Sequence, residues 1–287
     1  MVEPGRFGEG RGDEFLMAQY GPIADLSKEN RGSRGGSNGA LVYTGKWVGG
    51  RSTDGRLTPD SSAQKRHFKE VIEAVEHVDG AMLRGLHIRR RAAADQIAKR
   101  SGMRVLPIRI APKWRVVVGH GADDNYETGL TFSRTYGVPI WPGSALKGLA
   151  AAQARESSVP DETMRRLFGS PRPNMPDAEA SRGRVVVLDA LPAQPPELAL
   201  DVLTPHQPDY YAQVNQAIKP VDKQPAEYNN PVPVRFLAVH GTPFKSVLIG
   251  EDSDVHAFAA LLKEGLDDLG IGGKTSAGYG YCGLDLK

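Results

Sequence analysis

The chain has 287 residues, 40% hydrophobic and 24% charged, with a formal net charge of +2, so it is long enough to bury a sizeable core and is no polycation. Its single cysteine, Cys282, excludes an internal disulfide and a cysteine-based zinc cluster and suits a reducing cytoplasm. No apolar run approaches the ~20 residues of a membrane span and no apolar signal core opens the sequence, so a cytoplasmic protein without a membrane partner is expected.

Charge is unevenly placed. Residues 1–112 carry 19 Lys and Arg against 13 Asp and Glu, and Arg84 to Arg109 hold eight basic residues beside one acid, Asp95. That stretch suits an acidic partner. Residues 1–38 are rich in Gly, Arg, Asp, Glu and Ser, and Arg31–Gly39 is low in complexity, which predicts a flexible arm. Residues 39–112 are expected to form a basic, helical extension. In it, Phe68, Val71, Ile72, Val75, Val78 and Met82 recur at three- and four-residue spacing, the mark of a helix with one buried face. After Gly80 and Gly85, the residues Leu86, Ala93 and Ile97 mark the buried face of a second helix. Its other faces carry Arg89, Arg90, Arg91, Lys99 and Arg100.

After Ser101-Gly102 the period changes. Val105–Ile110 and Trp114–Gly119 are rich in β-branched residues and read as strands, as does Gly129–Phe132. Ile140-Trp141-Pro142-Gly143-Ser144 then stops the strand and starts a helix running to about Glu156. Ser144 is the expected N-cap and Lys147 falls in the expected first turn, where the helix dipole favours an anion. Arg184–Leu191 is a strand. Leu203–Tyr228 is long and irregular, the pattern of a functional loop or a disordered segment, and contains His206, Tyr210 and Tyr211. Val232–His240 and Phe244–Ile249 predict a hairpin across Gly241-Thr242-Pro243. Val255, Phe258, Ala259, Leu262 and Leu266 trace an amphipathic helix, and Tyr279–Leu286 is a last strand. Residues 113–287 thus read as an α+β domain in the βαββαβ order of a ferredoxin-like, RRM-like unit with insertions.

Between that last helix and strand lies Gly270-Ile271-Gly272-Gly273-Lys274-Thr275-Ser276-Ala277-Gly278-Tyr279-Gly280, with five glycines in eleven positions. Backbone N–H groups, two hydroxyls and an ammonium on so bare a loop suit phosphate oxygens. Two familiar nucleotide motifs fail here. A Walker-type loop needs glycine where Asp268 stands and a long helix after Thr275; Gly278-x-Gly280-x-x-Gly283 leaves no room for a dinucleotide-binding βαβ unit.

For catalysis the sequence offers little. Asp123-Asp124 and Asp267-Asp268 are adjacent acids suited to solvated turns, His120 and His206 are the candidate general bases, and no nucleophile motif or cofactor signature accompanies them. Phosphate-gripping residues do recur: Arg134, Lys147 at a helix start, and Lys274-Thr275-Ser276. Trp141, Tyr210, Tyr211 and Tyr279 are aromatics near loops that could stack on unpaired bases. Together they favour single-stranded RNA as ligand.

The pairing of Gly137–Gly148, with its I-W-P-G-S-A-L-K-G core, and the glycine loop at 270–280 resembles the RAMP superfamily of CRISPR-associated proteins. The likeness covers residues 114–286 well and 40–112 loosely; Ala145 stands where a second serine is common. Within the superfamily the layout is most like a subunit near the end of the type III-B Cmr complex. The resemblance implies a non-catalytic, cofactor-free subunit of antiviral RNA silencing that holds the distal guide RNA and its duplex with target RNA. Arg134, Ser144, Lys147, His206, Tyr210, Tyr211, Gly272, Gly273, Lys274, Thr275 and Ser276 are the expected RNA contacts. The implied protein partners are a backbone RAMP subunit, a small helical subunit and a terminal RAMP subunit. Two alternatives stay open: a metal-independent, guide-processing endoribonuclease using His120 or His206, and a subunit acting mainly through protein contacts.

Overall fold

A computed structural model describes residues 38–39, 50–53, 56–59, 61–120, 129–170, 181–204 and 233–286. The expected arm apart from Asn38, the acidic pair Asp123-Asp124, and His206, Tyr210 and Tyr211 lie outside the described residues.

Strands β1 (Gly50–Thr53) and β2 (Arg56–Pro59) pair with each other. Helix α1 (Ser61–Glu76) follows, and its predicted stripe holds as far as Val75, with Phe68, Val71 and Val75 fully buried. The helix ends at Glu76, so Val78 and Met82 fall beyond it and pack with Leu83 and Leu86 instead. Helix α2 (Gly80–Ser101) begins at Asp79, whose carboxylate accepts the Ala81 N–H at 2.7 Å. It ends at Gly102, whose φ of 67° only glycine adopts without cost. Its buried side differs from the expectation. Leu83 and Leu86 pack on one half, Ala94 and Ala98 on the other, and Ile97 is 56% exposed. The small alanines let the helix approach Val247 and Ile249 closely, which places Ile97 at the margin.

The remaining strands are β3 (Arg104–Pro112), β4 (Arg115–Val116), β5 (Phe132–Ser133), β6 (Val138–Pro139), β7 (Val186–Val187), β8 (Leu191–Pro192), β9 (Glu197–Leu203), β10 (Val234–His240), β11 (Phe244–Gly250) and β12 (Cys282–Leu286). Helices α3 (Gly143–Glu156) and α4 (Asp161–Phe168) separate β6 from β7, and α5 (Asp252–Asp268) separates β11 from β12. Among the described residues, no helix is long and apolar enough to cross a membrane.

The chain has a mixed α/β architecture. Its main sheet runs β12-β3-β11-β7, antiparallel throughout, with β8 also pairing with β11. The period of two along β11 divides its side chains between two layers. Phe244 and Leu248 face the core built with Leu146, Ala150, Phe258 and Leu262 of α3 and α5, whereas Val247 and Ile249 meet α2. Helices therefore cover both faces of β11, which explains why it is apolar on both. Strand β3, on the N-terminal side of the boundary expected at residue 113, lies inside this sheet between β12 and β11.

A second sheet, β4-β10-β9, shares the same core through Val116, Leu198, Leu237 and Val239. The expected hairpin of β10 and β11 does not form. β10 pairs with β4 and β9, and β11 with β3, β7 and β8. The connection turns the chain from one sheet to the other: Gly241 takes φ 60°, Thr242 Oγ1 accepts the Glu197 N–H at 2.8 Å, and Pro243 has no N–H to continue a ladder. The strand expected over Trp114–Gly119 shrinks to β4 for the same reason, since residue 113 onward changes sheets.

Candidate nucleic-acid interface

The glycine loop is not an open rim of N–H groups. It is stitched to the segment that leads from β3 through β4. The Gly273 N–H donates to Val117 O at 2.8 Å, the Gly280 N–H to Arg115 O at 2.8 Å, and the Ile271 N–H to Gly280 O at 2.9 Å. Two glycines are compulsory for this. A Cβ on Gly272, at φ 87°, would stand 2.1 Å from the Val117 carbonyl oxygen, and one on Gly280, at φ 84°, 2.2 Å from that of Ile271.

Lys274 is held in the left-handed region at φ 61°, a conformation that costs a non-glycine residue ~1 kcal/mol or more. Its ammonium lies 5.4 Å from the centre of the Phe236 ring, within cation–π range. Burial lowers its pKa, and among the described residues no carboxylate pairs with it. His120 backs onto Gly273, with its ring 6.0 Å from Phe236. Burial, and then the Lys274 charge, push the imidazole pKa down, and its buried Nδ1 has no hydrogen-bond partner among the described residues. Thr275 is half-buried and Ser276 exposed on the short 3-10 turn that follows.

Beside the loop stands a group that the sequence reading did not assemble. Asp201 of β9 accepts hydrogen bonds from both the Tyr279 hydroxyl and the Arg115 guanidinium. Burial alone would raise the Asp201 pKa, but the bonds from Tyr279, the Val202 N–H and Arg115 outweigh it and hold the carboxyl below its ordinary value. Burial, reinforced by the hydrogen bond to Asp201, pushes the Tyr279 phenol up to about 12. Trp114 lies against Tyr279 at 4.9 Å between ring centres, and the Arg115 guanidinium is 5.1 Å from the Trp114 ring. The Trp-Arg pair could have been noticed in sequence as an aromatic–cation neighbour; Asp201, 86 residues away, gave no signal.

The other expected cluster lies elsewhere. Ser144 does not cap α3. Pro142 occupies the cap position with no side-chain bond, and Asp189, from beyond β7, accepts the Gly143 N–H at 2.7 Å. Gly143 makes this possible, because a Cβ there would meet the Val187 carbonyl oxygen at 2.3 Å. Lys147 is consequently in the second turn rather than the first. Its ammonium donates to Val185 O at 3.2 Å, and burial, followed by the Arg182 charge, lowers its pKa. Lys147 thus rests against the main sheet and Lys274 against the second one. Arg134 is exposed on the β5–β6 turn, its carbonyl accepting from the Asn38 amide at 2.9 Å. Trp141 stacks on Phe244 at 4.1 Å and is 1% exposed, so it is a core residue and no platform for bases.

The sequence pattern of the RAMP superfamily matches residues 114–283, which contain both the α3 start and the glycine loop. This chain belongs to the RAMP superfamily. Among relatives of this RAMP protein, the CRISPR system Cmr subunit Cmr6 of Pyrococcus furiosus is 31% identical over 221 residues. That match spans 58% of this chain and 64% of the relative, under two thirds of its length. A chain of the type III-B Cmr-beta complex bound to cognate target RNA, seen by cryo-electron microscopy, superposes with a TM-score of 0.57 at 16% identity. The superposition covers 96% of this chain and 89% of that one, a likeness of fold. The crystal structure of Cmr6 from Pyrococcus furiosus gives a TM-score of 0.36 at 24% identity, over 63% of this chain and 98% of that one.

Proposed function

We propose that this RAMP protein is a non-catalytic, RNA-binding subunit of a type III-B CRISPR effector complex. In this role it holds guide RNA and its duplex with target RNA in the cytoplasm and sits among other Cmr subunits. The observation that carries the reading is Lys274: a cation without a carboxylate partner among the described residues, its backbone at φ 61° and its ammonium 5.4 Å from the Phe236 ring, in a glycine loop inside the segment that matches the family. A cation beside an aromatic face suits the phosphates and bases of a single strand. The 31% identity to a Cmr subunit and the fold shared with one chain of a complex bound to target RNA support this reading. On this reading the strand path β12-β3-β11-β7, with α3 following β3 and α5 following β11, is a ferredoxin-like unit enlarged by insertions. Arg134, Ser144, Lys147, Gly272, Thr275 and Ser276 remain the further RNA contacts of the proposal, while Gly273, whose N–H is spent on Val117 O, shapes the loop that presents them.

His120 favours a second reading. Its lowered pKa leaves it neutral at pH 7, as a general base must be, beside a lysine that could steady a phosphate. One experiment separates the two. Purified protein is titrated with end-labelled single-stranded RNA at several salt concentrations, with and without a chelator. Salt-sensitive binding that leaves the RNA intact supports the binding role. Lys274→Ala should then reduce the slope of log affinity against log salt by about 0.7, one phosphate contact on a single strand. Cleavage that survives the chelator and vanishes in His120→Ala establishes the endoribonuclease instead.

A further inference from the structure

Trp114 is 45% exposed, an unusual fate for the largest apolar side chain in a protein that buries Trp141 completely. It is not on a slack loop. The Lys113 N–H donates to Tyr281 O at 2.8 Å, and Arg115 O accepts the Gly280 N–H at 2.8 Å. Its backbone is therefore pinned on both sides to the chain that closes the glycine loop. Its side chain is braced in turn by Tyr279 at 4.9 Å and by the Arg115 guanidinium at 5.1 Å. Both braces are locked by the same carboxylate, Asp201. From Trp114 the rings continue inward to Tyr279 and then, at 5.8 Å, to Phe236, over which Lys274 is poised. A half-exposed indole and a cation lacking a carboxylate partner among the described residues thus stand at the two ends of one rigid row of side chains.

We propose that Trp114 is a stacking platform for one unpaired nucleobase of single-stranded RNA, with Lys274 receiving a phosphate of the same strand. Arg115, Asp201 and Tyr279 are its positioning residues. Asp201 engages the Arg115 guanidinium and keeps it alongside the indole instead of free for phosphate. The inference rests on the RNA-binding reading above and gives that interface a base-contacting component, where the lysine alone supplies only charge. Stacking of this kind is tolerant of sequence, because every base offers a π-face.

The test compares a twelve-nucleotide oligouridylate with an abasic oligomer of the same length and charge, using the full-length chain. Wild type should prefer the uridylate. Trp114→Ala should lower uridylate affinity about five-fold or more, leaving abasic affinity and the salt slope unchanged. Trp114→Phe should keep most of the preference while losing the part of the fluorescence quenching due to Trp114. Lys274→Ala should weaken both oligomers alike. Equal wild-type and Trp114→Ala affinities for uridylate, or an equal fall for both oligomers, would overturn the platform while leaving RNA binding standing. If wild type binds neither oligomer, the RNA-binding reading falls, and the platform with it.

Discussion

Asp201 is the residue on which the interface turns, since it restrains a guanidinium and a phenol at once. Replacing it with Asn keeps the shape and removes the charge that both donors face. Hydrogen bonds to charged groups contribute about 1.5–3 kcal/mol each, and Asn recovers part of that, so Asp201→Asn should cost about 1–3 kcal/mol in urea unfolding at neutral pH. The pH dependence has a definite sign. The folded carboxyl has a pKa below its ordinary 3.8, so its contribution is complete above 3.8 and fades as pH falls through the lower folded value. Wild type and Asp201→Asn should therefore converge in strongly acidic solution. Equal stabilities at pH 7 would show that the Asp201 charge contributes nothing beyond what a neutral amide supplies to Arg115 and Tyr279. At this scale the sequence was half legible. The Gly272-Gly273-Lys274 loop announces itself by composition, but its function as a seam against Val117 depends on a partner segment more than 150 residues earlier.

Among the elements, α3 shows how a correct motif can suggest the wrong mechanism. The sequence announces a helix just past Pro142 but caps it at Ser144; the helix in fact begins two residues earlier than that cap implies, at Gly143, with Pro142 in the cap position. The cap, however, comes from Asp189, 46 residues on, and no local pattern announces such a donor–acceptor pair. Loss of an N-terminal cap costs about 0.5–2 kcal/mol, so Asp189→Ala should lower the urea midpoint accordingly. Ser144→Ala, at an exposed position that makes no cap bond, should leave it nearly unchanged. The reverse ranking would restore the local capping motif. The same limit governs the strands. Alternation identified β10 and β11 as strands, yet only the redirection at Gly241-Thr242-Pro243 decides that they join different sheets. Helix α5 was legible outright, and α1 as far as Glu76, since a stripe at three- and four-residue spacing needs no knowledge of what lies opposite.

At the level of the whole molecule, two histidines at seams between layers favour the neutral ring in the folded protein. His87 of α2 bridges to the main sheet, its Nε2 2.8 Å from the Pro192 carbonyl oxygen of β8. Burial pushes its pKa below the ordinary 6.5. The bond to Pro192 opposes that shift, and the Lys245 and Arg90 charges reinforce it. His120 is lowered too, by burial and by Lys274. In both cases the folded protein prefers the neutral ring, while the unfolded chain takes up protons near 6.5. The stability they allow is thus fully present above 6.5 and is lost as pH falls through the lower folded values. One site lies between α2 and the main sheet and the other beside the second sheet, so acid should loosen two separate seams of one core. Urea midpoints measured from pH 7.5 to pH 5 should fall for wild type. The fall should be shallower in His87→Gln, whose amide can still donate to Pro192 without taking a charge. Parallel slopes for the two proteins would remove His87 as a source of acid sensitivity. A shallow remaining slope that flattens further in a His87→Gln/His120→Gln double variant would assign the rest to the glycine-loop seam.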